Sequence, residues 1–320
     1  MKRLKLRRLA LVAMAGLVVP AAACSSVQVG DGASPVPPLV GVSLNSLEYP
    51  FIVTMNDSMK AAATTNGVTL NTLDSRAKVA TELSQMEDLI TRRPKVIVMD
   101  AVDAKSSQAA GRLVNQAKIP LVLVDNRFDT GSTIDVASYV GTDAKESGRL
   151  EAQALNKALP DGGKIIFLVG VYGAPWTENR KAGFLEVVDK NISIATEIEA
   201  HGARADGKTV MEDLLRRYQT PGSIDAVVAQ NDEMAVGAIS AIREANRQSE
   251  FKTIISVDGS EAGLAAVKDG TLTATIRQDP AKIGAAAVET AAKVARGEQV
   301  DKEVLIPFET VTKDNVADFS

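Results

Sequence analysis

The chain is poor in histidine and cysteine, on which much nucleophilic catalysis and zinc binding depend. It has one histidine, one cysteine and one tryptophan among 320 residues, and aromatic residues make up only 4%. Any serine–histidine mechanism would have to use His201, which stands in a polar loop and is expected to be exposed and inert. The sequence also lacks a Walker A loop, a dinucleotide-binding fingerprint and a cluster of zinc ligands. We therefore expect a protein that is not an enzyme and that needs no cofactor and no metal.

The only cysteine, Cys24, follows a segment with the features of an export signal. Basic residues at the start are followed by an apolar run from Leu9 to Val19, and three alanines directly precede the cysteine. The run is too short to span a bilayer. The segment resembles a bacterial lipoprotein signal, which implies that Cys24 is lipidated and is the only membrane attachment of an exported protein. We expect residues 1–23 to be the signal peptide and residues 24–38, rich in Ser, Gly and Pro, to be a tether.

Acidic residues outnumber basic ones, and the difference is larger outside the signal. Removal of the signal takes away five basic residues and lowers the net charge from −4 to −9. An acidic exported protein is a poor partner for nucleic acid or for broad contact with anionic lipid. The remaining chain, roughly 280 residues, is longer than a single hydrophobic core usually supports, so two lobes are expected.

Short apolar runs alternate with helical patterns through the rest of the chain. Strands such as Val40–Leu44 and Lys95–Met99 are followed by amphipathic segments, including a predicted helix over Asp103–Ala117. The alternation restarts near Tyr139, after which a second series of strands and helices follows. Because β-α-β-α alternation is typical of parallel sheets covered on both faces, we predict an α/β protein with two similar doubly wound parallel-sheet lobes.

Polar residues follow directly after three of the predicted strands. Asp125, Asn231 and Asp258 each stand at a strand end, and Asp232 is expected to cap the helix after Asn231. Ligands of open parallel sheets bind in the crevice beyond the carboxyl ends of the strands. The sequence therefore predicts one cleft that binds a ligand rich in hydroxyl groups.

Several motifs after residue 39 occur in an order and spacing that resemble the ribose-binding-protein group of periplasmic sugar receptors. These motifs are Pro50-Phe51, Ile119-Pro120, Asp125-Asn126, Arg180–Phe184, Ala229–Ala235, Val257–Gly259 and Thr275–Pro280. The resemblance implies a monomeric receptor that closes over a carbohydrate or polyol by hinge motion and hands it to an ABC permease. It also implies three crossings between the lobes, with hinge segments near residues 141–144, 276–279 and 306–309. The lobes would comprise residues 39–142 with 279–307, and residues 143–278 with 308–320.

The resemblance also assigns the polar ligand contacts. Asp125 and Asp258 would accept hydrogen bonds from ligand hydroxyls, and Arg180 would donate to them. Asn231 and Gln278 carry amides, which can do both.

The aromatic contacts show where this chain departs from ribose receptors. Phe51 would stack on the apolar face of a sugar ring. Tyr49 replaces an Asn of the family, Asn126 replaces an Arg, and a stacking Phe expected near Gly202 is missing. Trp176, predicted to stand in a loop at the cleft, could supply the lost aromatic surface. A pentose other than ribose, a hexose or an acyclic polyol all remain possible ligands.

Three other functions compete with sugar transport. The same fold could serve chemotaxis or the uptake of a signalling molecule. Asp125 and Asp258 could hydrolyse a glycoside if their separation suited that reaction. A lactose-repressor-like regulator would need a helix-turn-helix where this sequence carries an export signal.

Overall fold

The computed structural model describes residues 36–129 and 131–319. The predicted signal peptide and Cys24 lie outside the described residues. Contacts divide the chain between Val36 and Pro37, and the fold described below belongs to the unit that begins at Pro37. Within the described ranges, no helix has both the length and the hydropathy needed to span a membrane.

Strands and helices alternate along this unit. The strands are β1 (Leu39–Leu44), β2 (Thr69–Asp74), β3 (Val96–Met99), β4 (Leu121–Val124), β5 (Ser138–Gly141), β6 (Gly163–Val169), β7 (Ile192–Glu199), β8 (Ala226–Ala229), β9 (Thr253–Asp258), β10 (Ala274–Arg277), β11 (Glu303–Leu305) and β12 (Glu309–Thr312). The α-helices are α1 (Pro50–Asn66), α2 (Val79–Thr91), α3 (Gln108–Gln116), α4 (Ala144–Ala158), α5 (Pro175–Val187), α6 (Arg204–Arg217), α7 (Asp232–Glu244), α8 (Glu261–Asp269) and α9 (Pro280–Ala295).

The strands form two sheets of six strands each. One has the order β11-β5-β4-β3-β1-β2, and the other has the order β12-β10-β9-β8-β6-β7. Neighbouring strands are parallel in both, except that β12 runs antiparallel to β10. We call the first sheet with its helices the N-terminal lobe and the second the C-terminal lobe. The predicted pair of similar doubly wound lobes is therefore confirmed.

The sequence of the central strands explains this arrangement. Strands β3, β4 and β8 are short runs of apolar residues that are buried along their whole length, as parallel strands covered on both faces require. In the N-terminal lobe, Met55 and Met59 of α1 pack with Ile283 and Val288 of α9 in one apolar cluster. Each such buried side chain stabilises the fold by roughly 1.5–3 kcal/mol.

The chain passes between the two sheets three times. It leaves the N-terminal lobe between β5 and α4, returns between β10 and α9, and crosses again between β11 and β12. The β-carboxyl ends of the two sheets consequently lie on either side of a common cleft. Hinge motion at the three crossings remains a prediction.

Two helix boundaries differ from the sequence prediction in ways that affect the cleft. Helix α3 begins at Gln108 rather than Asp103, because the Asp103 carboxylate accepts hydrogen bonds from the backbone N–H groups of Lys105 and Ser106 and holds a turn instead. Helix α5 begins at Pro175, where proline suits the first helical position. Trp176 therefore lies in the first turn of a helix. The prediction that it stands in a loop was wrong.

Candidate functional site

A cavity lies between the two lobes, and the space within it, including solvent at its mouth, is about 430 Å³. Its lining includes all nine residues proposed from the sequence, together with two that were not proposed. The lining residues are Asn45, Tyr49, Phe51, Ile52, Asp125, Asn126, Trp176, Arg180, Asn231, Asp258 and Gln278. Their roles in binding remain predictions, but the structure brings them to one place.

The N-terminal lobe contributes polar residues that follow its central strands. Asn45 follows β1, and Asn126 lies two positions after β4. Both are held by Asp100, a fully buried residue after β3: its carboxylate accepts hydrogen bonds from Asn45 N at 3.2 Å and from Asn126 Nδ2 at 2.7 Å. Burial raises the pKa of Asp100 well above its usual range, and the nearby charge of Asp125 raises it further. Sequence reasoning missed Asn45, although its place at a strand end matches the signal that identified Asp125.

Asp125 presents an unpartnered carboxylate to the cavity. Its backbone is held by Tyr139, whose hydroxyl donates to Asp125 O at 2.8 Å, and it adopts a left-handed conformation with φ = 56°. Among the described residues, none donates a hydrogen bond to its carboxylate. Burial raises the pKa of Asp125 to about 6, while the positive charge of Arg180 acts in the opposite direction. A ligand that donates hydrogen bonds would satisfy this group.

In the C-terminal lobe, Arg180 and Asp258 form a largely buried ion pair. Arg180 Nη2 lies 3.3 Å from Asp258 Oδ1, and the two side chains are 5% and 14% exposed. Arg180 Nη1 also donates to the carbonyl oxygen of Gln230. Burial raises the pKa of Asp258 to about 7, although the charge of Arg180 opposes this shift. Asp258 has φ = 126°, a rarely adopted conformation of the kind that concentrates at ligand-binding sites.

Gln278 links this ion pair to the crossings between the lobes. It lies after β10, and its Nε2 donates to Asp258 Oδ1 at 3.0 Å. Its Oε1 accepts a hydrogen bond, at 3.2 Å, from the hydroxyl of Thr142, the residue directly after β5. One amide thus connects two crossing segments with a carboxylate of the cavity.

Asn231, and not Asp232, caps helix α7, so this prediction was wrong. Asn231 has an extended backbone, its Oδ1 accepts from Met234 N at 3.0 Å, and its Nδ2 donates to Gly202 O at 2.9 Å. Asp232 is the first helical residue and is fully buried, where its carboxylate accepts from the Thr275 hydroxyl at 2.7 Å. Asp232 therefore connects the helix to the sheet. Asn231 forms part of the cavity wall, and both ends of its amide already make hydrogen bonds within the protein.

Trp176 lines the cavity, and the outer atoms of its indole ring lie against a glycine. A Cβ atom on Gly170 would come within 1.8 Å of Trp176 Cη2, and one on Gly202 would come within 3.6 Å of the same atom. The guanidinium of Arg180 lies 5.2 Å from the ring centroid, within the range of a cation–π contact. The ring can occupy this place because Gly170 has no side chain.

The two lobes touch at the rims of the cavity. The Tyr49 hydroxyl donates to His201 O at 3.3 Å, and Ala104 N donates to Gly173 O at 3.3 Å. The imidazole of His201 is 58% exposed and faces Glu199 rather than the cavity. Among the described residues, no cluster of His, Cys, Asp and Glu side chains could hold a metal ion.

The fold and this cleft define a class of protein, and comparison with known proteins agrees. Residues 40–299 match the family described as periplasmic binding protein domain, and the chain belongs to that family. Within it the chain is of the ribose-binding type. It is 33% identical over 275 residues to the ribose import binding protein RbsB of Escherichia coli strain K12, covering 86% of this chain and 90% of that protein.

Solved structures of ABC transporter solute-binding proteins have the same fold. One from Bacillus halodurans C-125, with bound myo-inositol, is 29% identical with a TM-score of 0.83 and covers 90% of this chain and 98% of that chain. Another from Mycobacterium smegmatis, with bound glycerol, is 34% identical with a TM-score of 0.80 and covers 88% and 96%. These relatives are solute-binding proteins, and this chain is likewise not an enzyme, as the sequence predicted.

Proposed function

We propose that the protein is the extracytoplasmic solute-binding component of an ABC transporter and captures a monosaccharide or polyol between its lobes. The main support for the proposal is the lining of the cavity. One carboxylate from each lobe and the guanidinium of Arg180 lie there beside aromatic rings. Sugars and polyols present many hydroxyls, which bind most strongly to charged groups. The relatives named above are described with ribose, myo-inositol and glycerol, which are all polyhydroxylated compounds.

The geometry supports a division of roles within the cavity. Asp125 and Asp258 would accept hydrogen bonds from ligand hydroxyls, and Arg180 and Gln278 would donate to them. The ring of Trp176 would cover an apolar face of the ligand. Phe51, Tyr49, Asn126 and Asn231 complete the wall around it.

Transport requires that the lobes open and close around the ligand. We infer that they rotate about the three crossings, with lobe boundaries at the positions expected from the sequence, and that the closed form is handed to a permease as a monomer. Lipidation of Cys24 would retain the protein at the outer face of the cell membrane. A surface anchor suits this function because it keeps the receptor near its transporter.

A ligand screen by thermal shift tests the proposal. The mature protein is tested against pentoses, hexoses, cyclitols, linear polyols and sugar acids, and hits are measured by calorimetry. A ligand at 100 times its Kd should raise the free energy of unfolding by about 2.7 kcal/mol. Arg180→Ala should abolish the shift, whereas an exposed change on the outer surface, Lys60→Ala, should leave it intact. If no compound of these classes stabilises the protein, the proposed function is wrong.

A further inference from the structure

The charges that line the cavity are unevenly distributed between its two walls. Asp258, on the C-terminal lobe, is already paired with Arg180 at 3.3 Å and accepts a hydrogen bond from Gln278 at 3.0 Å. Asp125, on the N-terminal lobe, has no donor among the described residues. Arg180 is the only cationic side chain among the described residues that line the cavity. With these three groups ionised, the lining carries one net negative charge, located on the N-terminal wall.

Among the described residues of the N-terminal lobe, no cation that lines the cavity compensates this charge. Asn126 stands where ribose receptors carry an arginine, and its amide donates to the buried Asp100. Arg127, the next residue, does not line this cavity but an adjoining pocket, where its guanidinium lies 3.7 Å from the centroid of the Tyr139 ring and pairs with Glu303 at 2.6 Å. Within the described part of the chain, the negative charge of Asp125 therefore meets no cation on its own wall of the cavity.

The same wall offers further hydrogen-bond acceptors and few donors. Asn45 is 5% exposed, and its Oδ1 is buried without a hydrogen-bond partner among the described residues. Asp100 lies directly behind this wall, fully buried, and its carboxyl group already accepts hydrogen bonds from Asn45 N and Asn126 Nδ2, which leaves the wall with fewer donors for a ligand. An unsatisfied buried acceptor is unfavourable, so this side of the cavity is suited to a group with several donors.

We propose that the ligand is an amino sugar or amino polyol, whose ammonium group lies against Asp125 on the N-terminal wall while its hydroxyls meet Arg180 and Asp258. The inference rests on the proposed function and narrows its ligand. An ammonium group has three donors and no acceptor, and hydrogen bonds between two charged groups are stronger than those of a hydroxyl. Burial already raises the pKa of Asp125, and a bound cation would offset the cost of keeping that carboxylate ionised.

Matched pairs of ligands test the inference by calorimetry at pH 7 with the mature protein. Glucose is compared with its 2-amino, 3-amino and 6-amino derivatives, and myo-inositol is compared with amino-inositols. At least one amine should bind roughly ten-fold more tightly than its parent alcohol, because an ammonium–carboxylate ion pair replaces the bond between a neutral hydroxyl and the same carboxylate. The preference should disappear in Asp125→Asn, which keeps the side-chain shape. It should persist in Asp57→Asn, since Asp57 is an exposed residue of α1.

A second variant tests the charge balance independently. Asn126→Arg adds a guanidinium next to Asp100 and Asp125, so it should shift the preference from the amine to the parent alcohol. If neutral sugars bind and every amine binds no more tightly than its parent, the amine inference is overturned while the proposed function stands. If neither class binds, both are overturned. An amine preference that survives in both Asp125→Asn and Asn126→Arg would also refute the placement of the ammonium group.

Discussion

The position of the Trp176 ring depends on the missing side chain of Gly170, so Gly170→Ala should damage ligand binding from outside the polar contacts. The added Cβ would lie 1.8, 2.4 and 2.5 Å from three atoms of the indole ring. Ordinary contacts begin near 3.4 Å, so the ring must move by at least about 1.6 Å. Because the ring is the end of a side chain and forms part of the cavity wall, the displacement should reshape the cavity without unfolding the lobe.

The expected loss is the work of returning the displaced ring to its binding position, and the cost of overpacking a close-packed site, roughly 1–3 kcal/mol, gives its scale. At about 1.4 kcal/mol per decade, affinity should fall by about ten-fold to a hundred-fold. Trp176 is the only tryptophan, so its emission reports the ring directly. In the wild type, closure over a ligand should bury the ring and shift its emission to the blue, whereas Gly170→Ala should change the spectrum before any ligand is added.

Gly222→Ala is the matched control, because nothing lies within 4 Å of a Cβ at Gly222 in the same lobe. Its left-handed backbone, with φ = 74°, should cost stability and leave affinity unchanged. The reasoning fails if Gly170→Ala binds ligand with wild-type affinity and shows the wild-type emission spectrum.

Three further predictions concern stability and location. Burial raises the pKa of Asp258 to about 7, so the folded state without ligand holds a proton that the unfolded chain releases near pH 4. The contribution of Asp258 to the free energy of unfolding should therefore decrease as pH rises from about 4 to 7. In urea titrations, Asp258→Asn should make the free energy of unfolding depend less on pH over this range. The same pH dependence in wild type and variant would show that Asp258 is not the titrating group. Asn231→Ala removes the side-chain acceptor for Met234 N and should lower the free energy of unfolding by about 1 kcal/mol in urea titrations. Unchanged stability of Asn231→Ala would show that this cap does not contribute. Cys24→Ser should move the protein from the membrane fraction to the soluble exported fraction, and identical partitioning of both forms would disprove lipid anchoring.

Strand ends could be predicted from the sequence because they depend on local patterns. Short apolar runs followed by Asp125, Asn231 and Asp258 are enough to place these polar groups at the carboxyl ends of their strands. In the structure all three line the same cavity. The resemblance to ribose receptors added Phe51 and Arg180, whose positions depend on tertiary packing.

Other features depend on choices that the local sequence leaves open. Asn231 and Asp232 can both cap a helix, and the difference is decided by the extended backbone of Asn231 and by the buried partners that attract Asp232. Asn45 enters the cavity because Asp100, 55 residues later in the chain, binds its backbone. The orientation of Arg127 is set by Tyr139 and Glu303, so no local pattern shows that it leaves the cavity.

The rims of the cleft meet through two long hydrogen bonds, from Tyr49 to His201 and from Ala104 to Gly173. Each such bond contributes only about 1 kcal/mol net, so these two contacts stabilise the closed arrangement of the lobes only weakly. If the lobes open and close as proposed, the bound ligand would govern the balance between the two forms, and its apparent affinity would be reduced by the work of closing the lobes. A transporter that recognised only the closed form would then ignore empty receptors, even where they outnumbered the loaded ones.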